Sequence, residues 1–415
     1  MIRTTKVVRP SLFLVVLVAC FAVQAAQAAK VAVGTCRSDL VNFPTIQGAI
    51  DSSPAGTTIE ICPSNYQEQL LITKSLTLEG IGPATQDAVV IFPPAAGLAA
   101  NTSDPRGSVA AQILVQAATG PVTISSLTVD GTGNKDSSDD VRGILYQDAS
   151  GVVNHVAVRN ELPNDAASGA QSGQGIFVET ISGTATLTVE NSSVHNYNKN
   201  GIVARYAGAT LTAIGNDVQG AGAVNYIAQN GIEIAFSGAT GTIMNNTVID
   251  NFYTPTDASA ADILLYDAKE NGSILVNGNI LGNSNVAISL FTDTPGTYGD
   301  GVSISGNRIF GTSTFDGIDV CTNNNTVMSN KIFNSAQSGV HLDASCGSTG
   351  NGNTVKGNTL LESACAGVLV DPSTTANTVV PNAHYSLPFP VTSSTSMCTL
   401  PGGPARAKTH NKFKP

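Results

Sequence analysis

Two small groups of polar residues carry side chains suited to acid–base chemistry. The first contains the three residues Asp319, His341 and Asp343, with Asp371 on the following coil. If they occupy stacked strands, Asp319 and Asp343 are offset by one coil and two residues, which is about 8 Å from strand geometry. That separation suits an inverting glycosidase, and a histidine beside the pair could relay a proton. We predict these three residues as catalytic; the alternative is a solvated strand face whose charges discourage edge pairing.

The second group contains Glu179, Arg205 and Glu233. Arg205 would sit between two carboxylates on adjacent coils, where it could bind substrate or serve a lyase as base. Loops carry function more often than scaffolds do, and long loops lead into these strands at 130–142, 159–174, 219–230 and 250–261. We predict a substrate-binding trio, and the alternative is a cross-strand ion-pair group with no further role.

A short repeat positions both groups. Its pattern is Gly, apolar, any residue, apolar, and it recurs every 22 to 32 residues. Clear copies begin at Gly143, Gly175, Gly201, Gly231, Gly317, Gly339 and Gly367, with degenerate copies at Asp262 and Ala287. The third and fifth positions of each copy should face outward, because strand side chains alternate.

A second repeated pattern lies between these copies: apolar, two residues, Asn, one residue, apolar. It supplies Asn246, Asn279, Asn307, Asn330 and Asn358. Stacked coils would place these side chains in one turn, where their amides can bond to each other and to the backbone. We predict a structural asparagine ladder.

The two patterns together predict an all-β solenoid of about a dozen coils, most with three short strands. No single coil can bury its apolar residues, whereas stacked coils form three parallel sheets around one core. The segment from Phe43 to Asp51 reads as an amphipathic helix that caps the N-terminal end. We assign residues 29–400 to this domain and residues 401–415 to a basic, disordered tail.

Residues 1–28 read as an export signal, with an apolar core from Ser11 to Val23 and a small-residue cleavage site at Ala26 to Ala28. This predicts a secreted, periplasmic or envelope protein; lipidation of Cys20 is the alternative. Six cysteines follow residue 28, and an even number favours disulfides. We suggest the pairs Cys36–Cys62, Cys321–Cys346 and Cys365–Cys398, among fifteen possible connectivities.

Composition limits the partners. The formal charge of −10 argues against nucleic acid and bare polyanionic partners, although a metal ion could bridge a polyanion to the protein. No segment after the export signal could cross a membrane. We predict no cofactor and no metal. An acidic loop could still offer oxygens to Ca²⁺, although its spacing fits no strict motif; it contains Asp130, Asn134, Asp136, Asp139 and Asp140.

The segment from Phe43 to Gly80 resembles the opening of proteins in the pectin-lyase-like superfamily, and the repeats resemble its β-helix over most of residues 40 to 382. The resemblance implies a right-handed parallel β-helix whose ligands lie on the outer face of the first sheet. The superfamily includes lyases, hydrolases, esterases, epimerases and proteins without known activity, so fold alone does not assign a reaction.

Individual family signatures match poorly. The run from Phe315 to Val320 is similar to one polygalacturonase motif, with Asp316 at a catalytic carboxylate, but the other motifs are missing. Two hypotheses follow. The protein binds or processes a polysaccharide or cell-surface glycan, as a lyase or glycoside hydrolase if it is an enzyme; alternatively it is a non-catalytic structural or adhesive solenoid. A groove with converging carboxylates favours the first, and a covered face favours the second.

Overall fold

The computed structural model describes residues 29–82, 86–136, 139–164, 169–236, 238–255, 257–268, 274–293 and 299–393. Within them, three long sheets run side by side along the chain, and successive strands visit the sheets in turn. All strand pairs between successive coils are parallel, because each strand pairs with its counterpart one coil later. This is a parallel β-helix, and it fits the right-handed form.

Sheet I holds the Gly-apolar-x-apolar strands and has 13 strands in all. In spatial order they are β5 (Leu70–Ile72), β9 (Gly107–Gln116), β12 (Asp140–Gln147), β15 (Gln174–Glu179), β18 (Asn200–Arg205), β21 (Asn230–Ala235), β24 (Ala261–Tyr266), β27 (Val286–Phe291), β30 (Ile318–Val320), β33 (Val340–Leu342), β36 (Ala366–Val370) and β39 (Phe389–Thr392). The thirteenth, β8 (Thr102–Asp104), pairs antiparallel with β9 as a hairpin.

Sheet II has 14 strands and follows sheet I within each coil. They are β2 (Val41–Phe43), β1 (Lys30–Val33), β3 (Thr57–Ile61), β6 (Leu76–Gly80), β10 (Val122–Ser125), β13 (Gly151–Asn154), β16 (Ala185–Glu190), β19 (Ala209–Ile214), β22 (Thr240–Met244), β25 (Ile274–Asn277), β28 (Ser303–Ser305), β31 (Thr326–Met328), β34 (Thr354–Lys356) and β37 (Thr378–Val379).

Sheet III has 12 strands and completes each coil. They are β4 (Ser64–Gln67), β7 (Val89–Phe92), β11 (Thr128–Asp130), β14 (Ala157–Arg159), β17 (Ser193–His195), β20 (Asp217–Val224), β23 (Thr247–Tyr253), β26 (Ile280–Gly282), β29 (Arg308–Phe310), β32 (Lys331–Phe333), β35 (Thr359–Leu361) and β38 (Ala383–Tyr385). A short 3₁₀ helix spans Gln86–Ala88.

One continuous apolar core fills the space between the sheets. Sheet I supplies a stack of β-branched residues, in which Ile144, Ile176, Ile202 and Ile232 occupy the same register on successive strands. β-Branched side chains pack well on a pleated surface. This stack fixes which neighbouring positions point outward.

Among the described residues there is one α-helix, α1 (Ile46–Ser52), which lies beside the first strands. Thr45 accepts a hydrogen bond from the backbone N–H of Gly48, and the Glu68 carboxylate accepts from the N–H groups of Ile46 and Gln47. Both contacts satisfy donors that a helix start leaves unpaired. Ile46, Ala49 and Ile50 are buried in the core, as the amphipathic pattern predicted.

The asparagine ladder is confirmed between sheets II and III. Each amide donates to the side-chain oxygen of the next Asn at 2.9 to 3.0 Å, and that oxygen also accepts the previous backbone N–H. The ladder extends beyond the predicted members to Asn216 at one end and Asn382 at the other. A second set, Asn325, Asn353 and Asn377, connects the last coils.

Two predicted disulfides are confirmed, Cys36–Cys62 and Cys321–Cys346. The third suggestion involves Cys398, which lies outside the described residues, as do the export signal with Cys20 and the basic tail. No helix within the described ranges is long and apolar enough to span a membrane.

Candidate functional site

Three rows of side chains face outward from sheet I. The central row is in register as predicted and contains Leu145, Phe177, Val203, Glu233, Leu264, Ser289, Asp319, His341 and Leu369. The distal row contains Gln147, Glu179, Arg205, Ala235, Tyr266 and Phe291. A third, proximal row lies one residue before the first position of each repeat, which is Gly in most copies. It contains Arg142, Gln174, Asn200, Asn230, Ala261 and Val286.

Asp316, Asp319 and His341 form the acid–base cluster of this face. Asp316 immediately precedes Gly317 and therefore occupies the proximal-row position of its coil. Its Oδ2 lies 3.2 Å from Nδ1 of His341, and its Oδ1 accepts the backbone N–H of Ser338 at 2.8 Å. The Asp319 Oδ1 lies 3.9 Å from the same imidazole nitrogen. Two carboxylates and one histidine therefore converge on adjacent coils.

The hydrogen bond to Asp316 favours one tautomer of the neutral imidazole. A carboxylate only accepts, so Nδ1 carries the hydrogen and Nε2 of the neutral ring is left as an acceptor. Nε2 is buried and has no hydrogen-bond partner among the described residues. The side chains of His341 and Asp319 retain 7% and 11% exposure, whereas Asp316 has none. This arrangement can accept and return a proton at Nε2.

Asp343 follows directly after β33. Its carboxylate accepts from the backbone N–H of Ser345 at 2.9 Å and from the Ser345 hydroxyl at 2.8 Å, which is a turn-forming arrangement. Asp371 makes the same contacts with Ser373. The Asp319 side chain is therefore brought together with Asp316 and His341, whereas the Asp343 carboxylate takes part in a turn.

The same cluster is the place where a divalent metal could be held. Asp316, Asp319 and His341 each offer a ligand atom, and these atoms lie within 4.8 Å of one another. The carboxylates of the acidic loop have separate partners: Asp130 binds Arg159 and Asp140 binds Arg142. Calcium binding there stays a hypothesis.

Glu179 is paired with an arginine that the sequence analysis did not select. Its Oε1 lies 2.9 Å from Nη1 of Arg142 and accepts a hydrogen bond from Gln147 at 2.9 Å. Arg142 also contacts Asp104 on the covering hairpin and Asp140 on its own strand. Burial raises the pKa of Glu179, although the Arg142 charge acts in the opposite direction.

Arg205 pairs with Glu233, as predicted, through an Nη2 to Oε1 bond of 3.0 Å. The Oε2 of Glu233 accepts from Asn230 at 3.1 Å, and Asn230 also donates to Asn200. Lys199, next to Asn200, is fully buried, which together with the nearby Arg205 and Arg106 charges lowers its pKa to about 8, while Glu233 opposes the shift. The predicted trio is thus divided between two cations, Arg142 and Arg205.

Loops cover much of this face. With backbone atoms included, every residue of the central row is at most 9% exposed. Leu145, Phe177 and Val203 belong to a second apolar cluster outside the main core. The β8–β9 hairpin lies over it, with Thr102 bonded to Gln147 and Asp104 to Arg142. Asp316 and Asp319 converge, as the carbohydrate-processing hypothesis requires. The face of sheet I on which they lie is nevertheless largely buried.

The aromatic residues near the distal row contact one another along successive coils. Tyr206 and Phe236 have ring centroids 6.3 Å apart, and Phe236 and Tyr266 meet edge to face at 5.1 Å. Tyr266 and Phe291 stack at 5.2 Å and are 4% and 8% exposed. These two buried rings favour packing over stacking on an exposed sugar ring.

The proximal row is the part of the site that sequence reasoning missed. Strand alternation counted forward from each Gly does not include the residue before it. A signal was present, because that residue is polar in six of the coils: Arg142, Gln174, Asn200, Asn230, Asp316 and Ser338. A polar residue followed by glycine is also typical of a turn, so this pattern alone does not indicate a strand.

Comparisons with known proteins identify the architecture. The sequence matches no protein-family model and no curated protein. Among solved structures, it is similar to a GH136 lacto-N-biosidase from Eubacterium ramulus, with 12% identity, a TM-score of 0.55, and coverage of 86% of this chain and 68% of that one. It is also similar to the catalytic unit of a GH87 α-1,3-glucanase from Streptomyces thermodiastaticus, with 15% identity, a TM-score of 0.54, and coverage of 89% and 69%. At such low identity the likeness concerns the fold, and this protein is a parallel β-helix.

Proposed function

We propose that this protein binds and processes carbohydrate on the outer face of sheet I, with Asp316, Asp319 and His341 as the reacting groups. The observation that carries the proposal is the buried Asp316–His341 hydrogen bond, which leaves Nε2 of the imidazole unpartnered beside a second carboxylate. The two similar β-helix structures, named as a biosidase and a glucanase, support carbohydrate as the substrate class.

The roles of the three groups follow from their contacts. Asp316 holds Nδ1–H of His341, orients the ring and stabilises the imidazolium that forms when Nε2 takes a proton. Asp319 is the most exposed of the three and is the carboxylate placed to meet a sugar. In a lyase, Nε2 of His341 would abstract a proton from the sugar. In a glycoside hydrolase, the protonated Nε2 would donate to the leaving oxygen, and Asp319 would act as the carboxylate beside it. Because the cluster is nearly buried, either reaction requires the covering loops to move.

Export to an oxidising compartment is part of the proposal. Two disulfides support it, because such bonds persist in secreted and periplasmic proteins. The export signal of residues 1–28 and the domain limits at 29 and 400 remain predictions from the sequence.

The test is a panel of neutral and acidic polysaccharides, with reducing ends and unsaturated-uronate absorbance followed together. Asp316→Asn and His341→Gln should lower turnover by about 10²–10⁴-fold, the usual contribution of a general acid–base group. Asp371→Asn is the matched control, because Asp371 bonds within its own turn on the next coil. Asp343→Asn tests the original sequence-based candidate in the same assay.

A non-catalytic structural or adhesive solenoid is the second candidate, and burial of the central row favours it. In that case no polysaccharide would be turned over, and the Asp316 and His341 variants would bind glycans as the unsubstituted protein does. Turnover that survives both substitutions would also refute the proposed roles.

A further inference from the structure

The outer face of sheet III differs between its two halves. Near the N-terminal end its charges are paired, because Arg159 contacts Asp130 on the neighbouring strand and Asp87 of the 3₁₀ helix. From β26 to β38 the outward positions are Ile280, Gly282, Arg308, Phe310, Lys331, Phe333, Thr359, Leu361, Ala383 and Tyr385. This second half of the face therefore carries positive charge without an acidic residue on the same strands.

Three exposed cations lie on successive coils at the corner between sheets II and III. Arg308 and Lys331 begin β29 and β32 and are register partners, with Cα atoms about 4.8 Å apart. Lys356 ends β34 of sheet II one coil later. None of the three forms an ion pair within the part of the chain that the structure describes. Like charges at facing positions of a sheet repel each other, so an anionic partner would stabilise this arrangement.

An apolar strip runs beside these cations. It consists of Phe310, Phe333, Leu361 and Tyr385, which are register partners on four successive strands and together extend over about 14 Å. A Cβ on Gly282 would lie 2.6 Å from the Phe310 ring, so this ring lies along the sheet where the preceding strand has no side chain. Tyr385, at the other end of the strip, is 56% exposed.

The position of these residues favours a flat partner over a small molecule. Sites for small molecules are concave, whereas the three cations lie exposed on the outer side of a corner between two sheets. A second copy of this chain is a poor partner, because two facing strips would bring like charges together. The strip instead fits an extended surface that presents negative charge beside an apolar layer.

We propose that Arg308, Lys331 and Lys356, together with the apolar strip, dock this protein on the surface of an anionic lipid bilayer. The three cations bind lipid phosphate groups, while Tyr385 and the exposed edges of the phenylalanine rings enter the boundary between headgroups and acyl chains. The net charge of −10 opposes contact with an anionic surface through the rest of the molecule, so sheet III faces the lipid. The inference goes beyond the proposed function and does not depend on it, because sheet I forms a different side of the solenoid.

The experiment measures co-sedimentation of the protein with two kinds of vesicle, phosphatidylcholine alone and equal parts of phosphatidylcholine and phosphatidylglycerol. The partition coefficient should be at least 10-fold larger for the anionic vesicles, and added salt should reduce it, because mobile ions screen exposed charges. Replacing Arg308, Lys331 and Lys356 together with Gln should lower binding to the anionic vesicles at least 10-fold.

The matched control replaces Lys30, Lys74 and Lys135 with Gln, which removes the same charge. Lys30 pairs with Glu60, and the other two donate to backbone oxygens away from the ridge. This variant should bind the anionic vesicles at least as well as the unsubstituted protein does. Unfolding midpoints show that each variant is folded before its binding is compared.

A second variant tests the apolar strip separately from the charges. Tyr385→Ser removes its most exposed ring and leaves all three cations in place. Binding to the anionic vesicles should fall several-fold, because less apolar surface leaves water, while the salt dependence stays the same. A Tyr385→Ser variant that binds as the unsubstituted protein does would refute entry of the strip into the bilayer.

Other outcomes would overturn the inference. Equal binding to the two kinds of vesicle, no binding to either, or equal losses in the two triple variants would each exclude a lipid-docking ridge. Polyglutamate that binds as tightly as the anionic vesicles, without an effect of Tyr385→Ser, would assign the three cations to an acidic protein partner instead. A dimer in light scattering that the Arg308, Lys331 and Lys356 variant dissociates would assign them to a second copy of this chain.

Discussion

At the scale of single residues, Glu161 shows how a buried acid is tolerated in this fold. It is fully buried, and both carboxyl oxygens are without hydrogen-bond partners among the described residues. A Cβ on Gly143 would lie 2.8 Å from its Oε1, so the carboxyl fills the space that this repeat glycine leaves open. Burial, and to a smaller extent Asp130, raises the pKa of Glu161 well above its ordinary value. The side chain is therefore neutral in the folded protein over a wide pH range.

This gives a pH dependence with a defined sign. The pKa of Glu161 is higher in the folded state than in the unfolded state, so its contribution to stability is complete below about pH 4.3 and decreases as pH rises toward the folded value. Each pH unit over which only the unfolded chain ionises costs about 1.4 kcal/mol. Relative to the unsubstituted protein, Glu161→Gln should therefore become more stable as the pH rises above about 4.3, measured by denaturant unfolding.

The exposed Glu362→Gln is the control and should leave the pH profile unchanged. Parallel pH profiles for Glu161→Gln and the unsubstituted protein would contradict the assignment.

At the scale of elements, the asparagine ladder determines how adjacent coils stack. The Oδ1 of Asn307 accepts from both the backbone N–H and the amide of Asn279, and its own amide donates to Val276 and Asn330. Asn307→Ala leaves these buried groups unpaired, and each costs about 1–3 kcal/mol. We expect a loss of at least 2 kcal/mol in the free energy of unfolding, measured by denaturant titration.

The matched control is Asn382→Ala at the end of the ladder. Asn382 is partly exposed and makes fewer contacts to later coils, so water can replace it. The loss there should be clearly smaller. Equal losses at the two positions would mean that the ladder does not act through its buried amides.

The elements also show where sequence reasoning succeeds and where it stops. Repetition revealed Asn246 to Asn358 because large apolar residues flank each copy. Asn216 and Asn382 were missed because one flank is the small Ala213 in the first case and the polar His384 in the second. The central row was predicted correctly from alternation alone. Asp316 and Arg142 were not assigned to this face, because the local backbone at each Gly departs from simple alternation. Contacts made by the β8–β9 hairpin are set by tertiary packing and have no periodic signature.

At the scale of the whole molecule, each coil contacts mainly its neighbours, so stability is local. Cys321–Cys346 connects β30 to the loop after β33, close to the Asp316 cluster, and Cys36–Cys62 ties the first coil. Replacing Cys321 and Cys346 with Ser should increase hydrogen exchange in coils near the cluster and leave the first coils protected. Replacing Cys36 and Cys62 should do the reverse. A uniform change along the chain in either variant would show global cooperativity instead.

The register of sheet I determines what the duplication or deletion of a coil would do to this face. Its two polar sites are separated by a whole number of strands, and the intervening strands β24 and β27 carry mainly apolar outward residues. Duplicating or deleting one coil between them would move the sites apart or together by a fixed step of about 4.8 Å without altering either one. The distance between the two groups can therefore change only in whole strand steps.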